Sequence, residues 1–581
     1  MTAANKGGEV MDAPLRKLEA LLGNPWDVAN PCGFQAVLDA DERGEMLAEG
    51  ERVLDRFGLG GAFVPVSLGG RLHDLTHLID VGRALFRRDP CLGLGHGASS
   101  LIAAVNVWAS GSKAQQVKVA DLLLSNRKIA CAYHELDHGN DLMRADFEAV
   151  QRIGEWVLNG GKQVIANVER ADALVLFART DPTAGSRSHS LLLVDKAALP
   201  AERVSHSPRF ASMGMRGVPL GGIRLHDCAV SPDCVLGSAG SGLETALKAF
   251  QVTRVALPGM FMGILDTGLR LTLRHASQRV LYGRGVLDLP LTQALLVNAF
   301  ADLLLCDCLV TVAARSLHLT PGAGIVYSAA VKYLIPKLLI DAMTSLSSVL
   351  GAQFYMRRGT HGVFQKLLRD LRPASFGHAS RASCQMTILP QLPPLARRAW
   401  TRPDALPVPA ALFDVDVALA PFAFDAITLG AGKHDPLISA LIATSSALSA
   451  QRTHSELAAL TKGFVDSVGP LQQNCAGLPP SEVGVMASVQ SHSHVGRYVT
   501  LLAASACLNL WWHEHAKPAQ HGDAFLRDSR WLELVLQRLQ CRLNNATPAT
   551  STKHCTHMLA ELRHRHEHGQ SFDLRRRDLS G

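Results

Sequence analysis

His134-Glu-Leu-Asp-His138 has the spacing at which two imidazoles one helical turn apart hold a zinc ion while the glutamate takes a proton from a bound water. That chemistry needs a helix. The preceding Lys128-Ile-Ala-Cys-Ala-Tyr133 reads instead as a strand, and Gly139-Asn140-Asp141 follows at once. A five-residue match also arises readily by chance among 24 histidines, so a zinc hydrolase is only the third reading. Gly237-Ser-Ala-Gly-Ser-Gly242 opens a helix as a phosphate loop would, but no βαβ unit leads into it, and a turn explains it. His554, His557, His564, His566 and His568 stand among Arg and Lys close to the C-terminus and read as a solvated tail; His492/His494 and His513/His515 receive the same reading. No G-x-S-x-G, P-loop or kinase pattern occurs. Residue chemistry by itself names no reaction.

The elements that must position these residues fall into blocks. Apolar residues recur at helical spacing through 12–128, with Leu15, Leu18, Leu21 and Leu22 on one face, and Gly111 separates helices expected over 98–109 and 113–125. From Ile129 the texture changes to short apolar runs at 129–133, 155–158, 163–166, 173–178, 190–194 and 222–226, divided by turns such as Asn159-Gly160-Gly161. Helical period returns over 243–281, 290–316, 324–351 and 362–371. A proline-rich stretch, 389–409, reads as a linker wrapping the surface. The expected class is α+β, mostly α: an N-terminal helical domain (1–128), a central β-sandwich or barrel (129–240), a four-helix bundle (241–395), a C-terminal helical extension (396–545) and a poorly ordered His/Arg-rich tail (546–581).

Composition narrows the setting. With 581 residues, 47% hydrophobic and 19% charged, the chain can bury a large core. Its net charge of +7 is small for this length and calls for no nucleic acid. Twelve scattered cysteines without a C-x-x-C pair read as reduced core thiols of a cytoplasmic protein. The first residues contain Glu9 and Asp12 and no apolar h-region, and the apolar stretch 294–312 contains Asp302 and Asp307, so neither a signal peptide nor a membrane span is expected.

The order of blocks and the residues at their junctions resemble the acyl-CoA dehydrogenase family of flavoproteins. The resemblance runs from about residue 40 to 395. Val64-Pro65-Val-Ser-Leu-Gly69-Gly70 is similar to the family's P-x-x-x-G-G segment, and Gly111-Ser-Lys-Ala-Gln115-Gln116 to the G-x-x-x-Q-K helix start. Ala132-Tyr-His-Glu-Leu-Asp-His-Gly-Asn-Asp141 lies over T-E-P-x-A-G-S-D, with Glu135, Gly139 and Asp141 coinciding, which accounts for the zinc-like motif without zinc. Leu158-Asn-Gly-Gly-Lys162 through Asn167 resembles N-G-x-K-x-W-I-T-N. Met213-Gly-Met-Arg-Gly217, Val230-Ser-Pro232 and Leu236-Gly237 follow in family order, as do Thr253-Arg254, Arg279-Val-Leu-Tyr-Gly283 and Arg369-Asp370. The helical extension resembles the long family members and the acyl-CoA oxidases.

The resemblance implies FAD, a homodimer or homotetramer, and α,β-dehydrogenation of an acyl thioester borne by CoA or a carrier protein. It implies that Tyr133 and His134 face the isoalloxazine ring, that Ala166 sits near N5, and that Arg279 and Tyr282 reach the pyrophosphate and adenine across a dimer interface. Gly351, in Ser348-Val-Leu-Gly-Ala352, and Ser380 complete the implied cofactor set. The catalytic glutamate, eight residues after the R-D aspartate, is here His378; the other position some members use is Thr253. The flavin-bonding Thr is His134, the stacking Trp is Val164, and the Thr near N5 is Ala166. A neutral imidazole can take a proton near pH 7, so the first reading is an FAD-dependent oxidoreductase with His378 as base, in natural product biosynthesis. The alternative is the same fold without FAD or redox activity, in a binding or non-redox role.

Overall fold

The computed structural model describes residues 3–377, 379–400, 407–451, 453–518, 520–546 and 551–581. They form two compact units, one of residues 17–260 with 420–429, the other of 1–16, 261–419 and 430–581. The division falls inside one helix, after Met260.

In the first unit, α1 (Ala3–Leu22, shared with the other), α2 (Phe34–Arg43), α3 (Ala48–Phe57), α4 (Leu75–Arg88), α5 (Ser99–Ser110) and α6 (Lys113–Leu124) precede the sheet. The last two match the expected helical pair about Gly111. Asp74 caps α4 by accepting from His77 N, and Ser112 and Gln115 form a reciprocal capping box at α6. Gln115 Nε2 also donates to the carbonyls of Asp233 (2.8 Å) and Val235 (3.0 Å), which fastens α6 to the end of the β-domain. Between α4 and α5 the chain makes a π-helical turn, Leu92–Ala98.

Seven strands form one mixed sheet: β1 (Ile129–Ala132), β2 (Glu148–Arg152), β3 (Glu155–Ala166), β4 (Ala173–Arg179), β5 (His189–Asp195), β6 (Val204–Ser207) and β7 (Leu220–Val230). The order is β1-β4-β2-β3-β7-β6, with β5 paired to β4. The strands β4 and β5 are buried on both faces, as their unbroken apolar runs require. Two register shifts interrupt β3 against β7, after Leu158 and after Lys162. At the first, Gly160 has φ +123°, and a Cβ there would come within 2.9 Å of the Phe147 Cα. Residues 420–429 join this unit from far along the chain: Phe422 N donates to His73 O (2.8 Å) and Gln251 Nε2 to Thr428 O (2.6 Å).

The second unit is built from the remainder of α7 (Gly242–Gln278), a short hairpin of β8 (Val280–Leu281) and β9 (Arg284–Gly285), and α8 (Pro290–Leu319), α9 (Gly324–Leu350), α10 (Gly362–Asp370), α11 (Arg381–Ile388) and α12 (Leu392–Arg398). The extension adds α13 (Pro436–Ser449), α14 (Ser455–Asp466), α15 (Val468–Ala476), α16 (Val489–Ala516), α17 (Ala524–Arg527), α18 (Ser529–Leu543) and α19 (Thr552–Glu567). Two helices in α8 and α9 are long and apolar enough to cross a membrane, and their apolar windows are buried within the protein. The proline-rich stretch departs from the surface linker expected: Leu389, Leu392, Leu395 and Trp400 are all buried. Residues 401–406 of that linker lie outside the described residues.

The tail also departs from expectation. The helix α19 ends at Glu567, and the chain then turns so that Phe572 is fully buried, with its N–H on Asp266 Oδ2 (3.0 Å) and Leu574 N on Asp307 Oδ2 (2.8 Å). Arg270 stacks over the Phe572 ring at 4.2 Å and donates to Gln570 O. The His and Arg residues flanking this segment suggested solvent, but the buried carboxylates of α7 and α8 need donors, and the tail supplies them.

Asp435 anchors the extension. Only 1% exposed, its carboxylate accepts from Tyr327 Oη (2.6 Å), Tyr498 Oη (2.6 Å) and Trp400 Nε1 (2.8 Å), drawing α9, α16 and the chain after α12 onto the first turn of α13. Burial, with the Asp435 charge beside them, holds both phenols well above their ordinary value, so they remain donors. Tyr498→Phe should therefore cost about 1.5–3 kcal/mol of stability, the range for a hydrogen bond to a charged group, read as a lowered midpoint in chemical unfolding.

Candidate functional site

Lys162 and Glu135 set the geometry of the β-domain rim. Lys162 on β3 is fully buried; its ammonium donates to Glu135 Oε1 (2.7 Å) and Tyr133 O (3.0 Å). Glu135 also accepts from Asp146 N (2.8 Å) and Phe147 N (3.1 Å). Burial alone would raise the Glu135 carboxyl; the Lys162 charge and hydrogen bond, then the two backbone N–H groups, overcome it and hold the carboxyl below its ordinary value. Burial likewise lowers Lys162, opposed by Glu135. The glutamate of the zinc-like motif is thus committed to Lys162. Its two histidines lie on no helix: His134 Nδ1 is 3.1 Å from Gly139 O and His138 Nε2 is 3.0 Å from Asp146 Oδ2.

Beyond Lys162 the second register shift leaves both Gln163 and Val164 off the inner face. Val164 has φ +58°, a left-handed conformation that is strained for a β-branched residue, and is 42% exposed. Gln163 N donates to His134 O (3.0 Å), so this bulge and the His134 turn form one rim, with Ala166 at the end of β3. Burial, helped by the Lys162 charge and opposed by the Gly139 carbonyl, lowers the His134 imidazole, which favours the neutral ring. Since Nδ1 must donate to the carbonyl, Nε2 presents a lone pair. Tyr133 departs from its implied side-chain role. Its ring is buried against Phe177 and Phe250, and its hydroxyl donates to Asn106 Oδ1 (2.5 Å), leaving its backbone to the rim. Sequence reasoning missed Asn106, and it gave no role to Asn167, whose Nδ2 donates to Ser99 Oγ (2.8 Å) and Gly95 O while its buried Oδ1 has no partner among the described residues.

The other implied residues lie in the second unit. Arg279 follows the last residue of α7 and is exposed, and the hairpin after it turns at Tyr282, φ +53° and 96% exposed, with Val280 and Leu281 also outward. Gly351 closes α9 at φ 57°, ψ −138°, with open space where a Cβ would stand. Close to Arg279, His275 and His361 meet edge to face at 4.8 Å; burial lowers both imidazoles, helped at His275 by His361 and Arg279 and at His361 by the Arg274 charge. Ser380 caps α11, accepting from Ser383 N (3.1 Å). His378 lies outside the described residues.

Residues 130–228 match the acyl-CoA dehydrogenase middle domain, and residues 240–382 match the acyl-CoA dehydrogenase C-terminal domain. Both segments are thus similar to domains of the acyl-CoA dehydrogenase family. The chain is 27% identical to the mitochondrial isovaleryl-CoA dehydrogenase of Solanum tuberosum over 254 residues, which is 43% of this chain and 61% of that protein. It is 28% identical to the enzyme of the same name from Pongo abelii over 273 residues, 46% and 64% of the two chains. The match thus spans about three fifths of those relatives. An acyl-CoA dehydrogenase from Bacillus anthracis, solved in complex with FAD, shares the fold at a TM-score of 0.72 and 17% identity, over 96% of this chain and 91% of that one. Butyryl-CoA dehydrogenase of Megasphaera elsdenii follows 67% of this chain and 97% of its own at 0.59 and 18% identity. A prolyl acyl carrier protein oxidase, AnaB, follows 64% and 97% at 0.55 and 20%. The family fold therefore has a helical N-terminal layer, a curled mixed sheet and a helical C-terminal part here too.

Removing one partner of the buried pair leaves an uncompensated charge. Lys162→Met and Glu135→Gln should each destabilise the protein by about 3–5 kcal/mol, and the double variant by less than the sum. Because the Glu135 carboxyl lies below its ordinary 4.5, its contribution should be intact above that pH and fade as pH falls through the lowered value. Unfolding titrations at pH 7 and pH 4 check both statements.

Proposed function

We propose that the protein is an FAD-dependent oxidoreductase acting on an acyl thioester borne by CoA or a carrier protein, in natural product biosynthesis, with His378 in place of the usual catalytic glutamate. The observation that carries this reading is the run of middle-domain and C-terminal-domain matches across residues 130–382. The residues present fit the cofactor. In the first unit, His134, the outward Val164 and Ala166 line one rim, and an apolar Val164 offers a face to a flat ring. In the second, Arg279 offers a guanidinium to two phosphate oxygens, Tyr282 a free aromatic face, and Gly351 an open backbone approach. The outward Val280, Leu281 and Tyr282 also support a homodimer or homotetramer. All 12 cysteines are free, which supports a cytoplasmic setting.

When bound, FAD supplies the acceptor for the hydride that leaves the acyl β-carbon. The chain's own part is to remove the α-proton. His378 takes it on an imidazole nitrogen, the C–H electron pair becomes the new α,β double bond, and the product is the unsaturated thioester. The imidazole becomes cationic where a glutamate would become neutral, so it works best where nearby charge disfavours imidazolium before the thioester anion develops.

Purified protein should show a flavin spectrum with one releasable FAD per chain. A colourless protein that takes up no added FAD would favour the non-redox reading of the same fold. Arg279→Ala should lower FAD retention, measured by ultrafiltration. His378→Ala should abolish anaerobic flavin reduction by thioesters yet leave FAD content unchanged; normal reduction would move the base to His134 or His361.

A further inference from the structure

Two ties join the turn that leaves β3 to the π-helical turn Leu92–Ala98 and the start of α5. Asn167 follows Ala166, the last residue of β3, and is fully buried. Its Nδ2 donates to the Gly95 carbonyl and to Ser99 Oγ (2.8 Å), and Ser99 Oγ donates to the same carbonyl (3.1 Å). Further along the same turn, Arg170 donates to Glu51 Oε1 (2.6 Å) on α3. That oxygen lies 3.0 Å from His96 Nδ1, and Asp55 Oδ1 lies 2.9 Å from His96 Nε2, so α3 grips the middle of the π turn. Lys128 Nζ, 3.1 Å from His96 Nδ1, closes the group.

The backbone alone does not explain this asparagine. At φ +60° the position calls for a left-handed residue, and glycine would supply it without burying an amide. Asparagine also leaves a buried Oδ1 without a partner among the described residues, a cost that glycine avoids. What the side chain adds is a donor to a wide turn that is rare by itself: Ser99 N reaches back five residues to Leu94 O. The turn is tightly packed on its other sides. A Cβ at Gly93 would come within 2.5 Å of the Phe86 ring, and one at Gly95 within 3.0 Å of Met46 Sδ. The end of β3 is therefore fixed to an element with little room to move. Asn167 N carries the same fixation to β7, donating to Pro219 O (2.8 Å) just before that strand begins.

We propose that Asn167 is a positioning residue for the flavin: by holding Gly95 O and Ser99 Oγ it sets where β3 ends, and so where Val164 and Ala166 meet the ring. This rests on the reading of that rim as the flavin's place, and the test separates the two.

The full-length protein, FAD-loaded and unloaded, is compared with Asn167→Gly, Ser99→Ala and the double variant. Asn167→Gly keeps the left-handed backbone and removes the tie. In hydrogen exchange, which needs no flavin, it should speed the 95–99 and 164–171 amides roughly tenfold while β4 and β5 stay protected. Glycine's own freedom would loosen 164–171 alone, so unchanged exchange at 95–99 overturns the proposal. Should Asn167→Gly not fold, Ser99→Ala, a smaller change, is expected to speed both segments about threefold, and no change in either overturns it equally.

Flavin itself gives the second readout. Asn167→Gly should raise the FAD dissociation constant about tenfold, measured by ultrafiltration against added FAD, and shift the visible bands of the FAD that stays bound. A lowered unfolding midpoint with affinity and bands unchanged is what a merely structural residue would give, and it overturns the proposal. Ser99→Ala should weaken FAD about threefold, and the double variant should bind it no more weakly than Asn167→Gly alone. Multiplied losses would show the two side chains acting apart and overturn the shared tie. If the unmutated protein takes up no FAD, the flavin reading fails, while exchange in the unloaded protein still decides whether Asn167 holds the π turn.

Discussion

One positive charge that never meets water organises the β-domain. Lys162 projects inward from β3, and its ammonium gathers the last carbonyl of the β1 end and the carboxylate of Glu135; that carboxylate in turn takes the two N–H groups leading into β2. Three stretches distant in sequence meet there because a buried ammonium and carboxylate leave few other ways to satisfy their hydrogen-bonding capacity. The rim follows from the same constraint. With Lys162 turned in, the register shift before Ile165 turns both Gln163 and Val164 away from the core. The strain at Val164 is therefore local to the place where a flat ligand is expected, and the surrounding sheet holds it.

Much of this architecture is legible without coordinates. The helical pair about Gly111, the long helices after residue 242 and the strands at 129, 155, 173, 190 and 222 carry strong apolar period, and the structure has elements at each. Glu148–Arg152 and Val204–Ser207 escape such reading because they are short and mostly polar, strands through pairing with β3 and β7 rather than through burial. At the site, residue types drew attention to particular segments, while the partners of their side chains were out of reach. Nothing in the spacing of Tyr133 announces that its hydroxyl belongs to Asn106 on α5. Nor does Lys332, one of two lysines in an apolar helix, announce two carbonyl acceptors more than forty residues later.

The extension shows where charge misleads. Residues 546–581 read as a poorly ordered tail because of their Arg and His content, yet Arg565 is fully buried, donating to Asp573 O and stacking over Phe300 and Phe525. A guanidinium can be taken inside when its planar face lies on aromatic rings and its edge finds carbonyl and carboxylate oxygens. Asp266, Asp302 and Asp307 look out of place on apolar helices until their partners are seen: the Phe572 and Leu574 amides for the first and last, and Arg538 for Asp302. Polar residues on helices long enough to cross a membrane thus mark where the extension docks.

That docking has a consequence for how the protein is made. The Asp307 carboxylate receives the Leu574 amide from 267 residues downstream. At about 5–20 residues per second on the ribosome, α8 emerges roughly 13–50 s before its partner exists. Throughout that interval the apolar helices α8 and α9 stand without their final cover. Until residue 574 has been synthesised, the Asp307 carboxylate therefore waits without the backbone donor that satisfies it in the folded protein.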